Sequence, residues 1–277
     1  MVGDDYMKVQ TIRKQTFDSP PKISIIVPIK DRCGARIRNC LRGIRLQSYK
    51  GIEIIIVDYG STKENHEQLL KDSEPFDCTF YRYPTQNIWS PAVAKNIGIR
   101  RAQGEYIATL DADCIMEPKV IEWTLKLHGE HKDGFVETKM CFLLPAVEVD
   151  TLNLPRDFGK LRENYSLRKY GFGAYLSVHR SWWFSVRGCD ERFQGWGGND
   201  DDIRDRVKRS EFRRNVLSER VKPETMIFHQ WHPSSRSEFT KKYGKSYKEM
   251  YDINVSIINR DKTSVRNRDN DNWGVFY

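Results

Sequence analysis

Three short, β-branched apolar runs each lead into an acidic residue, and the stretches between them carry helical spacing. The first, Lys22-Ile23-Ser24-Ile25-Ile26-Val27-Pro28, is followed by Asp31; the second, Glu53-Ile54-Ile55-Ile56-Val57, ends on Asp58; the third, Glu105 to Leu110, runs straight into Asp111-Ala112-Asp113. Runs of this length and composition, bounded by turn residues, are buried strands. Between the first two, Ile37, Cys40, Leu41 and Ile44 repeat at helical intervals. Before the third, Ser90-Pro91 offers an N-cap and a proline at the first helical position, with Val93, Ala94 and Ile97 as the apolar face. Pro118 opens a further helix carrying Val120, Ile121, Trp123 and Leu125. Strand–helix alternation of this kind implies right-handed crossovers and an α/β chain with a mostly parallel sheet flanked by helices. Ligands of such sheets bind beyond the carboxyl ends of the strands, where the aspartates stand.

Composition narrows the class. With 277 residues, 39% hydrophobic and 12% aromatic, the chain has material for a substantial core. No run reaches the roughly 20 apolar residues needed to cross a bilayer, and the opening MVGDDYMKVQ lacks the apolar segment of a signal peptide. Cysteines 33, 40, 78, 114, 141 and 189 are scattered without a paired framework, which reads as reduced thiols in a cytoplasmic setting. The net charge of +8 is unevenly spread. Basic residues concentrate from Arg204 to Lys222, again at Lys241, Lys242, Lys245 and Lys248, and in the tail at Arg260, Lys262, Arg266 and Arg268. A solvated helix face is the plain reading; an anionic polymer or a membrane surface, with the protein peripheral to it, is the sharper one.

Four segments follow: an N-terminal arm over 1–21, one half-domain over 22–118, a second over 119–232 and a C-terminal extension over 233–277. The irregular pattern from Asn153 to Tyr170 fits a loop or lid, and the stretch beyond Pro233 fits one helix and a polar tail.

Three constellations carry chemistry. Asp111-Ala112-Asp113 sets two carboxylates on one side of an extended segment, suited to a hard divalent ion such as Mn2+ or Mg2+ that also bridges phosphates. Phe193-Gln194-Gly195-Trp196-Gly197-Gly198-Asn199-Asp200-Asp201-Asp202 is more specific. Its glycines permit close backbone approach, Trp196 offers a flat face for a sugar ring, and the aspartates open a helix whose N-terminus favours negative charge. Met226-Ile227-Phe228-His229-Gln230-Trp231-His232-Pro233 brings a histidine to the end of an apolar run, from which it can return to the Asp pair. His66, His128, His131 and His179 have no such context and read as structural.

On these motifs Lys22–Pro118 resembles glycosyltransferase family 2: the strand into Val-Pro, the turn Val57-Asp58-Tyr59-Gly60-Ser61-Thr62, Ala94-Lys95-Asn96-Ile97-Gly98 and Asp111-Ala112-Asp113. Gly171–His229 resembles the C-terminal half of beta-1,4-galactosyltransferases, with their Trp-Gly-Gly-Glu-Asp motif. The resemblance implies a GT-A fold, Rossmann-like, as a single catalytic domain with a helical C-terminal extension. It implies a metal-dependent hexosyltransferase that moves a sugar from a nucleotide-sugar, UDP-linked by preference, to a glycan or other hydroxyl acceptor. Pro28, Asp31 and Asp58 would line the nucleobase pocket, and Lys95 would lie near the donor. Asp111 and Asp113 would hold ribose and metal, with His229 as a further metal ligand. Trp196, Gly197, Gly198, Asn199 and Asp201 would meet the acceptor or sugar, and Asp200 would be the catalytic base of an inverting reaction.

Two positions depart from the pattern: Tyr59 replaces a second Asp in the turn, and Asn199 replaces the Glu of Glu-Asp. Three other readings stay open at this level. One is a nucleic-acid-modifying enzyme on the same core, one a silent carbohydrate-binding module. The third is a retaining transferase, because polypeptide N-acetylgalactosaminyltransferases carry Trp-Gly-Gly-Glu-Asn.

Overall fold

The computed structural model describes residues 8–131, 133–167, 171–217, 224–233 and 236–260, together with 264, 267 and 271–275. The apolar runs form the strands expected of them. Strands β1 (Gln10–Arg13), β2 (Ile23–Ile29), β3 (Ile52–Tyr59), β4 (Thr79–Tyr83) and β5 (Tyr106–Leu110) alternate with helices α1 (Ala35–Arg45), α2 (Lys63–Ser73) and α3 (Pro91–Arg101). Every residue of β2, β3 and β5 is buried, as a strand covered on both faces requires.

The chain continues through β6 (Cys114–Met116), α4 (Val120–Glu130), β7 (Gly134–Glu137), β8 (Met140–Leu143), α5 (Phe158–Glu163) and β9 (Tyr165–Leu167). It then forms β10 (Tyr175–His179), α6 (Arg180–Ser185), α7 (Asn199–Arg209), β11 (Arg213–Val216) and β12 (Ile227–His229). Two helices close the described chain: α8 (Arg236–Tyr243) and α9 (Tyr247–Arg260).

The main sheet has eight strands in the order β1-β4-β3-β2-β5-β10-β7-β11. Its centre, β4-β3-β2-β5, is parallel, while β10 runs antiparallel to both β5 and β7. Helix α1 buries Ile37, Cys40, Leu41 and Ile44 against one face of this sheet; α3 and the paired Trp182 and Trp183 cover the other. Ser90 caps α3 by accepting from Val93 N–H, with Pro91 at the helix start. Mixed as it is, the sheet keeps a parallel core flanked by helices, and the α/β architecture expected from the sequence is present.

A smaller sheet, β6-β12-β8-β9, stands at the carboxyl end of β5. It matters because it returns the chain to the aspartates. Strand β12 pairs antiparallel with β6, opposing His229 to Cys114, and Gln230 N–H donates to the Asp113 carbonyl at 2.9 Å.

Two expectations change. The stretch 153–170 is not an open loop: α5 and β9 lie within it, and Leu154, Phe158 and Leu161 are buried in a satellite core, while 168–170 lie outside the described residues. Its irregular pattern reflects short elements, too brief for a periodicity to emerge. Beyond Pro233 there are two helices rather than one, and Trp273 is buried against the α3 side of the core. Trp273 therefore belongs to the domain; Tyr277 lies outside the described residues. All six cysteines are free and all but Cys33 are buried.

Candidate active site

The turn after β3 sets one wall. Asp58 is fully buried, its Oδ1 accepting from Ser61 N–H at 3.0 Å and its Oδ2 lying 2.7 Å from His66 Nδ1. With both oxygens engaged beneath the surface, Asp58 braces the turn from below. Pro28 is likewise buried, within β2 and opposite Val57. Gly60 sits at φ +63°, and a Cβ there would meet the Thr85 carbonyl oxygen at 1.9 Å, so only glycine suits the position. Tyr59, the departure from the family turn, packs edge-on against Trp89, with Lys30 Nζ 5.3 Å from its ring centroid.

Asp31 is the carboxylate that reaches this rim. Its Oδ1 accepts from Thr62 N–H at 2.7 Å and from Asn65 Nδ2 at 3.3 Å, and its Oδ2 faces Lys242 Nζ of α8 at 3.2 Å. Burial alone would raise its pKa, but the Thr62, Asn65 and Lys242 contacts outweigh it and hold the carboxyl below its ordinary range. Sequence reasoning missed Lys242 as part of this wall, because nothing in a lysine-rich helix says which lysine turns inward.

Strand β5 delivers Asp111 and Asp113, and the two separate. Asp113 gathers a basic ring: His232 Nε2 lies 3.4 Å from Oδ2, His229 Nε2 3.7 Å from Oδ1, and Arg32 Nη1 3.2 Å from Oδ2. Burial opposes its charge, but these neighbours hold its carboxyl well below the usual range. Gln230 makes the ring possible. Fully buried, it accepts from Asn39 Nδ2 at 3.0 Å and donates to the Arg36 carbonyl at 2.9 Å, fixing the chain between the two histidines.

Asp113, His229 and His232 each offer a ligand atom, and these atoms all lie within 4.8 Å of one another. One carboxylate oxygen and two imidazole nitrogens fit a divalent ion that accepts nitrogen, which favours Mn2+ over the oxygen-seeking Mg2+. Asp111 is not in this group. His232 joins it although only His229 was expected, the overlooked signal being the spacing His-x-x-His across a turn.

Asp111 instead belongs with Lys95 and Asp200. Its pKa is pushed up to about 8, first by burial and then by the charges of Asp200 and Asp113, against the pull of Lys95. Lys95, 2% exposed on α3, places Nζ 2.7 Å from Asp200 Oδ1. Burial disfavours the ammonium, yet Asp200 and Asp111 together keep its pKa above the ordinary value.

The three aspartates of α7 divide by direction. Asp200 stands at the site, Asp201 is exposed and paired with Arg204, and Asp202 is buried with Arg206 Nε at 2.9 Å. Burial raises the Asp202 pKa. Asn199 is 4% exposed; its Nδ2 donates to Asp200 Oδ1 at 3.3 Å, and its own Oδ1 has no protein partner. Gly173, at φ +114°, lets the backbone pass so close that a Cβ would stand 2.9 Å from Asp200 Oδ2.

The glycine loop before α7 presents Trp196 to solvent at 57% exposure, with Gly197 and Gly198 at φ +88° and +83°. Asn254 of α9 clamps this loop by donating to the carbonyls of Gln194 and Gly197, each at 2.8 Å. Nothing in the sequence joins Asn254 to a loop some sixty residues earlier.

Residues 24–141 match glycosyl transferase family 2, and residues 155–230 match the N-terminal domain of galactosyltransferase. The fold is GT-A, and the first of these stretches is similar to glycosyl transferase family 2. Among its relatives, glycosyltransferase GlyG of Streptococcus pneumoniae is 38% identical over 114 residues, covering 41% of this chain and 37% of that protein. An uncharacterized glycosyltransferase of Rickettsia conorii is 32% identical over 128 residues, 46% of this chain and 20% of that one. The matched stretch thus spans well under half of either relative's length.

The same fold is seen in S. aureus TarS in complex with UDP, at TM-score 0.56 and 16% identity over 86% of this chain and 71% of that one. It is seen also in the mannosyltransferase PcManGT from Pyrobaculum calidifontis in complex with GDP-Man and Mn2+, at TM-score 0.57 and 16% identity over 92% and 69%.

The described part of the basic stretch is largely paired within the fold. Arg204, Arg206 and Lys208 meet Asp201, Asp202 and Asp205, Arg214 meets Glu137, and Arg209 donates to the Ser264 carbonyl. That is the solvated, ion-laced helix face, and Arg220 and Lys222 lie outside the described residues. No helix among the described residues is long and apolar enough to cross a membrane. A surface cleft of about 550 Å³ between Lys22, Glu105 and Phe184 lies at the opposite ends of the strands and shares no residue with the site.

Proposed function

We propose that this chain transfers a sugar from a nucleotide-sugar to an acceptor hydroxyl by a single displacement with inversion. The convergence of Asp200, Lys95 and Asp111 beside Asp113, His229 and His232, at the carboxyl end of β5, carries the reading. Asp200, recessed but reachable, takes the proton of the acceptor hydroxyl as its oxygen attacks the anomeric carbon and the bond to the diphosphate breaks. Lys95, bonded to Oδ1 from below, and Asn199, donating to the same oxygen, orient that carboxylate and leave Oδ2 for the acceptor.

Asp113, His229 and His232 would hold Mn2+, which when bound neutralises the departing diphosphate. Asp31, beside the turn braced by Asp58, would accept a hydrogen bond from a nucleobase ring nitrogen, which suits uracil. The UDP bound by TarS and the GDP-Man bound by PcManGT make both donor classes natural on this fold.

The test is turnover of a panel of UDP-, GDP-, CDP- and TDP-sugars with Mn2+, read as nucleotide release, with the product anomer assigned by NMR. UDP-sugars are expected to lead and the product to have inverted configuration. Turnover undiminished in excess EDTA would remove the metal from the reading, and a retained configuration would remove the single displacement.

A further inference from the structure

We infer that Tyr247 and Tyr251 of α9 form a second sugar-binding tier beyond Trp196, so that the preferred acceptor is an oligosaccharide of at least two rings. The inference rests on the transfer reading above and names the acceptor's class.

The tier is made by two separate elements. Trp196, on the glycine loop, has its ring centroid 6.0 Å from that of Tyr247 and 6.3 Å from that of Tyr251, with planes tilted by 38° and 35°. Neither pair is stacked face to face, so the rings fan open instead of covering one another. Trp196 remains 57% exposed and Tyr251 41% exposed. Three adjoining rings form a contiguous apolar patch, and such a patch offers what a pyranose needs, flat faces for its C–H groups.

The fan is also rigid. A Cβ at Gly197 would stand 2.7 Å from Tyr251 Cδ2, so the tyrosine ring lies directly on bare backbone. Asn254, 1% exposed and one turn further along the same face of α9, holds the loop through Gln194 and Gly197. Loop and helix therefore move as one body, and a platform set before binding loses little freedom when a ligand arrives.

Position supplies the occupant. Trp196 leads through Gly197, Gly198 and Asn199 into Asp200, so an acceptor ring on Trp196 presents its hydroxyl toward the candidate base. Tyr247 and Tyr251 adjoin Trp196 from a separate element, α9, with Tyr251 resting on the Gly197 backbone. A single sugar uses the Trp196 face alone; the next ring of a chain continues onto the tyrosines.

The experiment titrates purified protein with chitin-, cellulose- and starch-derived saccharides of one to four rings, followed by saturation-transfer NMR and tryptophan fluorescence. Affinity for at least one series is expected to rise about tenfold or more from one ring to two or three. Tyr251→Leu and Tyr247→Leu should remove that length dependence, Tyr251→Phe should keep it, and melting temperatures identify any variant that has lost the fold. Equal affinity for one ring and three, length dependence that survives both Leu substitutions in folded protein, or no saccharide binding in any series overturns the tier. Nucleotide-sugar turnover by the unaltered protein is measured separately. Its absence alongside length-dependent binding would sink the transfer reading and leave the tier standing.

Discussion

Lys95 Nζ lies 2.7 Å from Asp200 Oδ1 although 105 positions separate them in the chain, and the lysine is 2% exposed while the aspartate side chain is 39% exposed. The pair is thus a sealed cation beneath a carboxylate that opens to the site. Removing one member of such a pair leaves an uncompensated buried charge, which costs about 3–5 kcal/mol in fully buried pairs and less where one partner is this open.

Asp200→Asn is accordingly expected to do two things at once. Turnover should fall by about 10²–10⁴, the usual contribution of a positioned base. Stability should also fall, because Lys95 keeps only Asp111 to answer its charge. The double variant Lys95→Met with Asp200→Asn separates the effects: melting temperature should recover while turnover stays lost. Recovery of turnover in the double variant would show that Asp200 serves the lysine and not the reaction.

The donor set around Asp113 makes a second prediction. Calorimetry with Mn2+ and UDP together should show metal-dependent nucleotide binding, with Mn2+ ahead of Mg2+. His232→Ala should weaken it as much as His229→Ala, by more than the roughly tenfold that even a residue behind the ligands contributes. Tight binding by the His232→Ala protein would return the site to the Asp pair and His229 alone.

How far the sequence reveals this site depends on what kind of contact builds it. Asp31, Asp113 and Asp200 were visible because strand ends and a helix start announce themselves locally, through β-branched runs and a glycine turn. The fold's parallel core was visible for the same reason. The burial of Asp58 was not visible, because a strand pattern gives the side on which a residue points, not whether Ser61 and His66 will close over it. Lys242, Tyr247 and Asn254 were not legible at all, and His232 was legible only as the second member of His-x-x-His. Each reaches the site through a small second sheet or a C-terminal helix pair whose packing is decided by long-range contacts such as Gln230 with Asn39.

Acid sensitivity of the fold should trace to His128. It is fully buried, its Nε2 2.9 Å from Ser177 Oγ and its ring stacked 4.1 Å from Tyr106, and burial, aided by the charge of His179, lowers its pKa from 6.5 to about 3. The unfolded chain takes up a proton near pH 6.5 and the native one only near 3, so between these values the unfolded state binds more protons. Stability from this residue is therefore complete above pH 6.5 and is lost on acidification, by about 1.4 kcal/mol per pH unit at most. Urea unfolding between pH 7 and 4 measures the slope, about which His128→Phe is decisive: it keeps the stacking, removes the titration and should flatten the curve.

Asn199 offers the last test, because it separates orientation of the carboxylate from its chemistry. Its Nδ2 is a donor to the same Asp200 oxygen that Lys95 holds, and at 4% exposure it has no room to turn away. Asn199→Asp replaces that donor with a second carboxylate of nearly identical shape, so packing is retained and only charge changes. Two carboxylates sharing one oxygen's surroundings resist ionising together and hold a proton to higher pH than either would alone. The acid limb of the pH–rate profile should therefore move to higher pH, with turnover approaching that of the unaltered protein once both groups have ionised. Asn199→Ala, which removes the donor and adds no charge, should instead lower turnover and move the limb in the same direction but by less. An Asn199→Asp profile that falls uniformly, with its acid limb unmoved, would mean that Asp200 is not the group whose ionisation the rate reports.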